Sequence, residues 1–235
     1  MVLALWVDTS LSTSGRDMTK KVGGRRPKPS MHIGRKQAQT LFRAVDYSIW
    51  NREPLNLYVV INFIDAAHSY PVSTFGKVRH KFRDWLKYKA LDEGRLTSGP
   101  TYIYTFENPH GVIHVNWMLR LGPSHIAEFQ KKLSQWLDRA QGHHNEFDIH
   151  IEVIEPGTEK TLANYLMKGV SQSVAKHFFL EGVCEPQGEI WGQRAGASMN
   201  ISKSSRVSDG FIKTPRIRFE TSSGIRSRVL LKSLI

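Results

Sequence analysis

Cysteine is almost missing from this chain, and long apolar runs are missing altogether. Cys184 is the only cysteine among 235 residues, which excludes an internal disulfide and every zinc site built from several cysteines. No uninterrupted apolar stretch approaches the length of about 20 residues that a membrane-spanning helix needs. Met1 to Val7 lacks the basic start and the cleavage site of a secretory signal. We therefore expect a cytoplasmic protein with no membrane partner.

Acidic residues are also scarce relative to basic ones. The chain has 21 Asp and Glu against 33 Lys and Arg, a formal net charge of +12 and a pI of about 9.9. This balance favours a polyanionic partner, without distinguishing DNA from RNA or an anionic membrane surface. The sequence has no Gly-x-x-x-x-Gly-Lys-Ser/Thr phosphate loop, so any unwinding of nucleic acid would require another protein.

The length suits one substantial domain with tails. Residues 1–30 are predicted to be a basic flexible arm, because they contain almost no large apolar side chain beyond position 7 and end in the basic run from Arg25 to Pro29. Residues 31–201 are predicted to form the domain. Residues 202–235 are a basic C-terminal segment that either completes the domain or stays partly ordered.

Hydrophobic periodicity predicts the order strand, helix, strand, strand, helix, strand within that domain. A helix over Met31–Trp50 is expected before it. The six predicted elements are Leu57–Ile64, Lys77–Asp92, Tyr102–Glu107, Val112–Leu121, Ser124–Ala140 and Asp148–Ile154. This order predicts an α+β fold of the split βαβ, or ferredoxin-like, type, with an antiparallel sheet and helices packed on one face. The face that carries His114 is then open to a ligand.

The third and fourth strands are predicted to form a hairpin around the turn residues Asn108–Gly111. A four-residue turn pairs Glu107 with Val112 and places Glu107 on the same face as His114 and Asn116, one diagonal step away. One imidazole nitrogen and two oxygens make a hard ligand set that suits Mg²⁺ or Mn²⁺ better than zinc. An ordinary polar strand face is the alternative interpretation. Candidate ligands ranked behind these three are His110, His150 and Glu152.

A helix predicted over Lys160–Val170 carries Tyr165 and Lys168 on one flank, three residues apart. A phenol is a poor nucleophile unless a cation stabilises its anion or polarises the atom that it attacks. Lys168 and a metal ion can do both. A tyrosine that closes the edge of the core beside a solvated lysine is the alternative for this pair.

These residues together resemble a known family. Glu107, His114-Val115-Asn116 and Tyr165-Leu-Met-Lys168, in this order, are similar to the third ligand, the His-hydrophobe-His motif and the Tyr-x-x-Lys motif of the HUH endonucleases, specifically of rolling-circle replication initiators with a single catalytic tyrosine. Asn116 stands where the family has its second His. An Asn is shorter and binds metal only through its carbonyl oxygen.

The resemblance covers roughly residues 55 to 200. The run from Leu57 to Phe63 resembles the strand that opens the family's domain, and Trp191 to Ser198 is similar to a glycine-containing stretch of phage-type initiators. The resemblance implies the HUH nuclease fold and the metal ligands Glu107, His114 and Asn116.

For activity, the resemblance implies that Tyr165, assisted by Lys168 and Mn²⁺ or Mg²⁺, cleaves single-stranded DNA or an origin hairpin. The tyrosine forms a 5′-phosphotyrosine link and leaves a free 3′-hydroxyl, which initiates rolling-circle replication of a plasmid or phage, with a host helicase and polymerase as partners. The same chemistry serves transposases and relaxases, and a binding-only origin protein is a further alternative. An RNA-binding module with Tyr102, Tyr104 and Phe106 as stacking residues is another.

Overall fold

The computed structural model of this protein describes residues 28–63, 70–94 and 99–212. The strands in this part of the chain are β1 (Pro29–Ser30), β2 (Leu57–Asn62), β3 (Tyr102–Glu107), β4 (His114–Leu119), β5 (Ile149–Val153), β6 (Ile190–Trp191) and β7 (Ala195–Ala197). The α-helices are α1 (Arg35–Trp50), α2 (Pro71–Asp92), α3 (Ile126–Gln141), α4 (Glu159–Leu166), α5 (Gln172–Phe178) and α6 (Lys203–Ser208). The predicted order from the first long strand to β5 is confirmed.

Five of these strands form one antiparallel sheet in the order β5-β2-β4-β3-β7. The three interior strands, β2, β4 and β3, are each paired on both edges. The predicted α+β class with an antiparallel sheet is therefore confirmed. The short strand β7, which sequence periodicity did not predict, extends the sheet beyond β3.

The register of the hairpin between β3 and β4 differs from the predicted one. Glu107 lies directly opposite His114, and Thr105 lies opposite Asn116, so the predicted pairing of Glu107 with Val112 is wrong by two residues. The backbone amide of Asn108 donates to the carbonyl oxygen of Gln187 rather than across the hairpin, and the turn runs from Asn108 to Ile113 instead of ending at Gly111. A two-residue shift preserves the face of every side chain, so Glu107, His114 and Asn116 still share one face.

Helices cover both faces of the sheet. Helices α2 and α3 pack against the face that carries Val115 and Trp117, whereas α1, α4 and α5 pack against the face that carries Tyr58 and Met118. The prediction that helices cover one face and leave the His114 face open is therefore wrong. The physical reason for this difference is that the second face also carries large apolar side chains, among them Tyr58, Ile103 and Met118, which must be buried.

The ends of the described region are tied to this core. Strand β1 pairs with β6, so Pro29 and Ser30 at the end of the predicted basic arm belong to a two-stranded sheet. Helix α6 lies in the predicted C-terminal segment, and its Arg206 is buried and donates to the carbonyl oxygen of Ile201. The remaining residues of the predicted arm and C-terminal segment, 1–27 and 213–235, lie outside the described residues. Across the described ranges, no helix combines the length and the apolar character needed to cross a bilayer.

Candidate functional site

The site begins where β3 ends and β4 starts. Glu107 is the last residue of β3 and His114 the first of β4, and their direct pairing brings His114 Nε2 to 2.9 Å from Glu107 Oε2. Glu107 is 1% exposed, whereas the His114 side chain is 19% exposed. A carboxylate is only an acceptor, so His114 donates this hydrogen bond from Nε2. The pair therefore lies at the end of the sheet, with the imidazole on the solvent side.

Helix α4 supplies the other half of the site. Tyr165 lies in its last turn, and the helix ends at Leu166, so the predicted helix over Lys160–Val170 is wrong at its C-terminal end. The chain leaves the helix because Val170 forms a β-bridge with Ile33, whose backbone amide donates to Gly169. Lys168 therefore follows the helix in a turn.

Lys168 joins the two halves. Its Nζ donates to the Tyr165 hydroxyl at 2.9 Å and lies 3.0 Å from Glu107 Oε2. The four side chains form an unbroken series from His114 through Glu107 and Lys168 to Tyr165. Two strands and one helix, separated by about 50 residues in the sequence, thus bring four of the five predicted site residues into direct contact.

The charges of this series stabilise one another. Burial on its own would raise the pKa of Glu107, but the hydrogen bond from His114 and the positive charge of Lys168 outweigh it, and the pKa lies below its ordinary value. Burial would likewise lower the pKa of Lys168. The negative charge of Glu107 and the hydrogen bonds to Tyr165 and Glu107 outweigh burial, so the pKa of Lys168 is raised. At neutral pH the site thus holds a carboxylate beside an ammonium.

Asn116, the fifth predicted residue, lies on the same face but has a different partner. Its Oδ1 accepts a hydrogen bond of 2.5 Å from the Tyr58 hydroxyl, and both residues are buried. Burial raises the pKa of Tyr58, and its proximity to Tyr165 and to the Glu107 carboxylate raises it further, which indicates that Tyr58 lies near the catalytic candidates. Sequence reasoning missed Tyr58, because only the pairing of β2 with β4 reveals that it neighbours Asn116.

The donor set of Glu107, His114 and Asn116 fits a hard divalent ion. Glu107 Oε1 is buried and has no hydrogen-bond partner, so a free carboxylate oxygen is available beside the imidazole. The Asn116 carbonyl oxygen has a second lone pair besides the one that Tyr58 uses. Among the described residues, no group of three or more His, Cys, Asp and Glu side chains is placed to hold a metal ion, so any ion here depends on the amide of Asn116.

The lower-ranked candidate ligands do not join this group. His150 pairs with Val60, which in turn pairs with Asn116, so His150 is two strands, or about 10 Å, from Asn116. Its nearest carboxylate oxygen is that of Glu152 at 3.8 Å, and both side chains are largely exposed. His110 is exposed in the hairpin turn.

A buried arginine supports the wall of the site, and sequence reasoning had not singled it out. Arg194 is 1% exposed and donates to the carbonyl oxygens of Ser30, Phe106, Gln187 and Gly188. These contacts tie β1 and the 187–188 turn to the residue that precedes Glu107. Burial lowers the pKa of Arg194, whereas the charge of Glu107 raises it. The guanidinium therefore holds the end of β3 in place through backbone acceptors.

No protein-family model matches this chain, and a comparison with curated proteins finds no significant match. The function is therefore inferred from the geometry of the site and from the resemblance of its motifs.

Proposed function

We propose that this protein nicks and rejoins single-stranded DNA through a phosphotyrosine intermediate on Tyr165, as an HUH-type nuclease that initiates rolling-circle replication of a plasmid or phage. The contact of Tyr165 with Lys168, which also holds Glu107 beside His114, carries the proposal. A phenol beside an ammonium and a potential metal ligand set is the combination that activates a tyrosine for attack on phosphorus.

The chemistry of the substrate follows from charge. A chain with a net charge of +12 favours a phosphate backbone, and a partly exposed tyrosine in the last turn of α4 suits an unpaired strand or an origin hairpin. A host helicase and polymerase are the partners that the activity requires, since the sequence lacks a nucleotide-binding phosphate loop. The order of strands and helices from β2 to β5 supports the HUH fold as part of the proposal.

In the proposed reaction the Tyr165 oxygen forms a bond to the scissile phosphorus, and the bond from that phosphorus to the 3′ oxygen breaks. The phenolic proton leaves to solvent, and the departing 3′ oxygen takes up a proton. Lys168 donates to the phenolic oxygen throughout and stabilises the negative charge that develops there. The number of phosphoester bonds is unchanged, so the strand can be rejoined by reversal.

Glu107, His114 and Asn116 would hold the metal ion, Mn²⁺ or Mg²⁺. When bound, that ion polarises the scissile phosphate and neutralises charge on its oxygens. The protein contributes orientation as well, because β3, β4 and α4 fix Tyr165 relative to the ligands before the substrate arrives.

Other functions differ in how well the geometry supports them. Transposases and relaxases use the same chemistry, and the site is equally suited to them. A binding-only origin protein is favoured by one observation, the engagement of the Asn116 carbonyl oxygen by Tyr58. An RNA-binding module that stacks bases on β3 is disfavoured, because Tyr102, Tyr104 and Phe106 are at most 9% exposed and pack in the core beneath α2.

A covalent-adduct assay tests the proposal. The protein is incubated with a pool of labelled single-stranded oligonucleotides and Mn²⁺, and denaturing electrophoresis then reports any protein with DNA attached. We expect an adduct whose mapped site is Tyr165, its loss in Tyr165→Phe with DNA binding retained, and its retention in the control Tyr88→Phe, since Tyr88 is 66% exposed on α2. DNA binding without any adduct from the parent protein would instead support the binding-only alternative.

A further inference from the structure

The carboxylate of Glu107 already has a cation. Its Oε2 accepts from His114 Nε2 at 2.9 Å and lies 3.0 Å from Lys168 Nζ, and the side chains of Glu107 and Lys168 are only 2% and 13% exposed. A buried carboxylate requires such a partner, because burial without one strongly disfavours its charged form. Glu107 and Lys168 together are electrically neutral, so the site is stable without any metal ion.

A divalent ion bound to Glu107 would change that balance. The ion would bring two positive charges next to the Lys168 ammonium, which the carboxylate now neutralises. Repulsion between the ion and the ammonium is strong in a site with little water. Lys168 has a second partner, the Tyr165 hydroxyl at 2.9 Å, and its flexible side chain can move away from Glu107 while retaining that bond. Metal binding and the release of Lys168 from Glu107 are thereby coupled.

We propose that Lys168 is an internal competitor for the metal site: its ammonium already neutralises the Glu107 carboxylate, so a divalent ion binds Glu107 tightly only when the ammonium moves away. This inference rests on the proposed function, because the metal ligands Glu107, His114 and Asn116 belong to that proposal. It assigns Lys168 two opposing effects. The residue lowers the affinity of the site for metal, and it supplies the cation that Tyr165 needs. Loss of the lysine should therefore strengthen metal binding while it weakens the reaction.

The test measures Mn²⁺ affinity in the full-length protein without DNA, from the electron paramagnetic resonance signal of free Mn²⁺ during a titration. Lys168→Met removes the charge and keeps a side chain of similar length, and we expect its Kd for Mn²⁺ to fall at least tenfold. Lys168→Gln should behave in the same way, whereas Lys168→Arg keeps the charge and should stay as weak as the parent. Circular dichroism checks that each variant is folded.

Two controls separate competition from a general effect of charge. Lys160→Met removes a lysine of α4 whose side chain is 62% exposed and paired with Asp46, and its Kd should match that of the parent. Glu107→Gln should abolish the tight binding in the Lys168→Met background, which shows that the ion is on the predicted ligand.

Several outcomes would overturn the proposal. It is wrong if Lys168→Met and Lys168→Gln both bind Mn²⁺ no more tightly than the parent, or if none of these proteins binds Mn²⁺. If Lys168→Met fails to fold, the comparison of the Gln and Arg variants decides. The adduct assay with the parent protein reports on DNA cleavage alone, so adduct formation without a change in Mn²⁺ affinity would refute competition and leave the nuclease function supported.

Discussion

Removing the charge of Glu107 should destabilise the protein by much more than a typical surface substitution. The carboxylate is 1% exposed and its Oε2 receives two charge-assisted contacts, from His114 and Lys168. Breaking a buried pair by removing one partner costs about 3–5 kcal/mol. In Glu107→Gln the amide oxygen can still accept one hydrogen bond, so we expect a loss of about 3 kcal/mol. For a chain of 235 residues this corresponds to a fall in Tm of roughly 6–12 °C.

The measurement is thermal unfolding at pH 7 in the presence of a chelator, followed by circular dichroism. Glu152→Gln is the matched control, because Glu152 lies on the same face of the sheet with its side chain 41% exposed, and it should change Tm by no more than about 2 °C, as surface substitutions do. A loss in Glu107→Gln as small as that in the control would show that the buried pair does not form in solution.

A double-mutant cycle with Lys168→Met then isolates the pair. Each single variant leaves one buried charge without its partner, whereas the double variant removes both charges. We therefore expect the double variant to be more stable than the sum of the single losses predicts, by about 1–3 kcal/mol. Additivity within about 0.5 kcal/mol would refute the direct interaction of Glu107 with Lys168.

Three further predictions follow from the same region. The pKa of Glu107 is depressed in the folded protein, so its charge contributes stability that is present above its unfolded-state pKa and is lost as pH falls through the folded pKa. The free energy of urea unfolding should therefore fall less between about pH 6 and pH 3 in Glu107→Gln than in the parent. Tyr58→Phe leaves the buried oxygen of Asn116 without its donor and should cost about 1–3 kcal/mol in urea unfolding. Gly188→Ala places a Cβ in steric overlap with the backbone oxygen of Asn108 at φ +61°, whereas Gly94→Ala at φ +64° meets no atom within 4 Å, so thermal unfolding should show a much larger loss of stability for Gly188→Ala.

The strands and the long helices could be predicted because periodicity is a local signal. The strand Tyr102–Glu107 was predicted to the residue. Helix α2 begins at Pro71, six residues before the predicted start at Lys77, because proline suits the first turn of a helix although it disrupts the interior. The layer formed by α1, α4 and α5 could not be predicted, since nothing local to α1 states which face of the sheet it will cover.

The meeting of the two halves of the site could not be predicted from local sequence patterns. Alternation alone places Glu107, His114 and Asn116 on one face, and helical spacing alone places Tyr165 near Lys168, yet no local pattern says that these two groups meet. They meet because the β-bridge between Ile33 and Val170 ends α4 early and turns Lys168 toward the sheet. If the helix continued to Val170, Lys168 would lie on the surface of that longer helix, one turn beyond Tyr165. The contact of Lys168 with Glu107 is thus a product of the tertiary fold, because it joins the end of β3 to the turn after α4, two segments that lie far apart in the sequence.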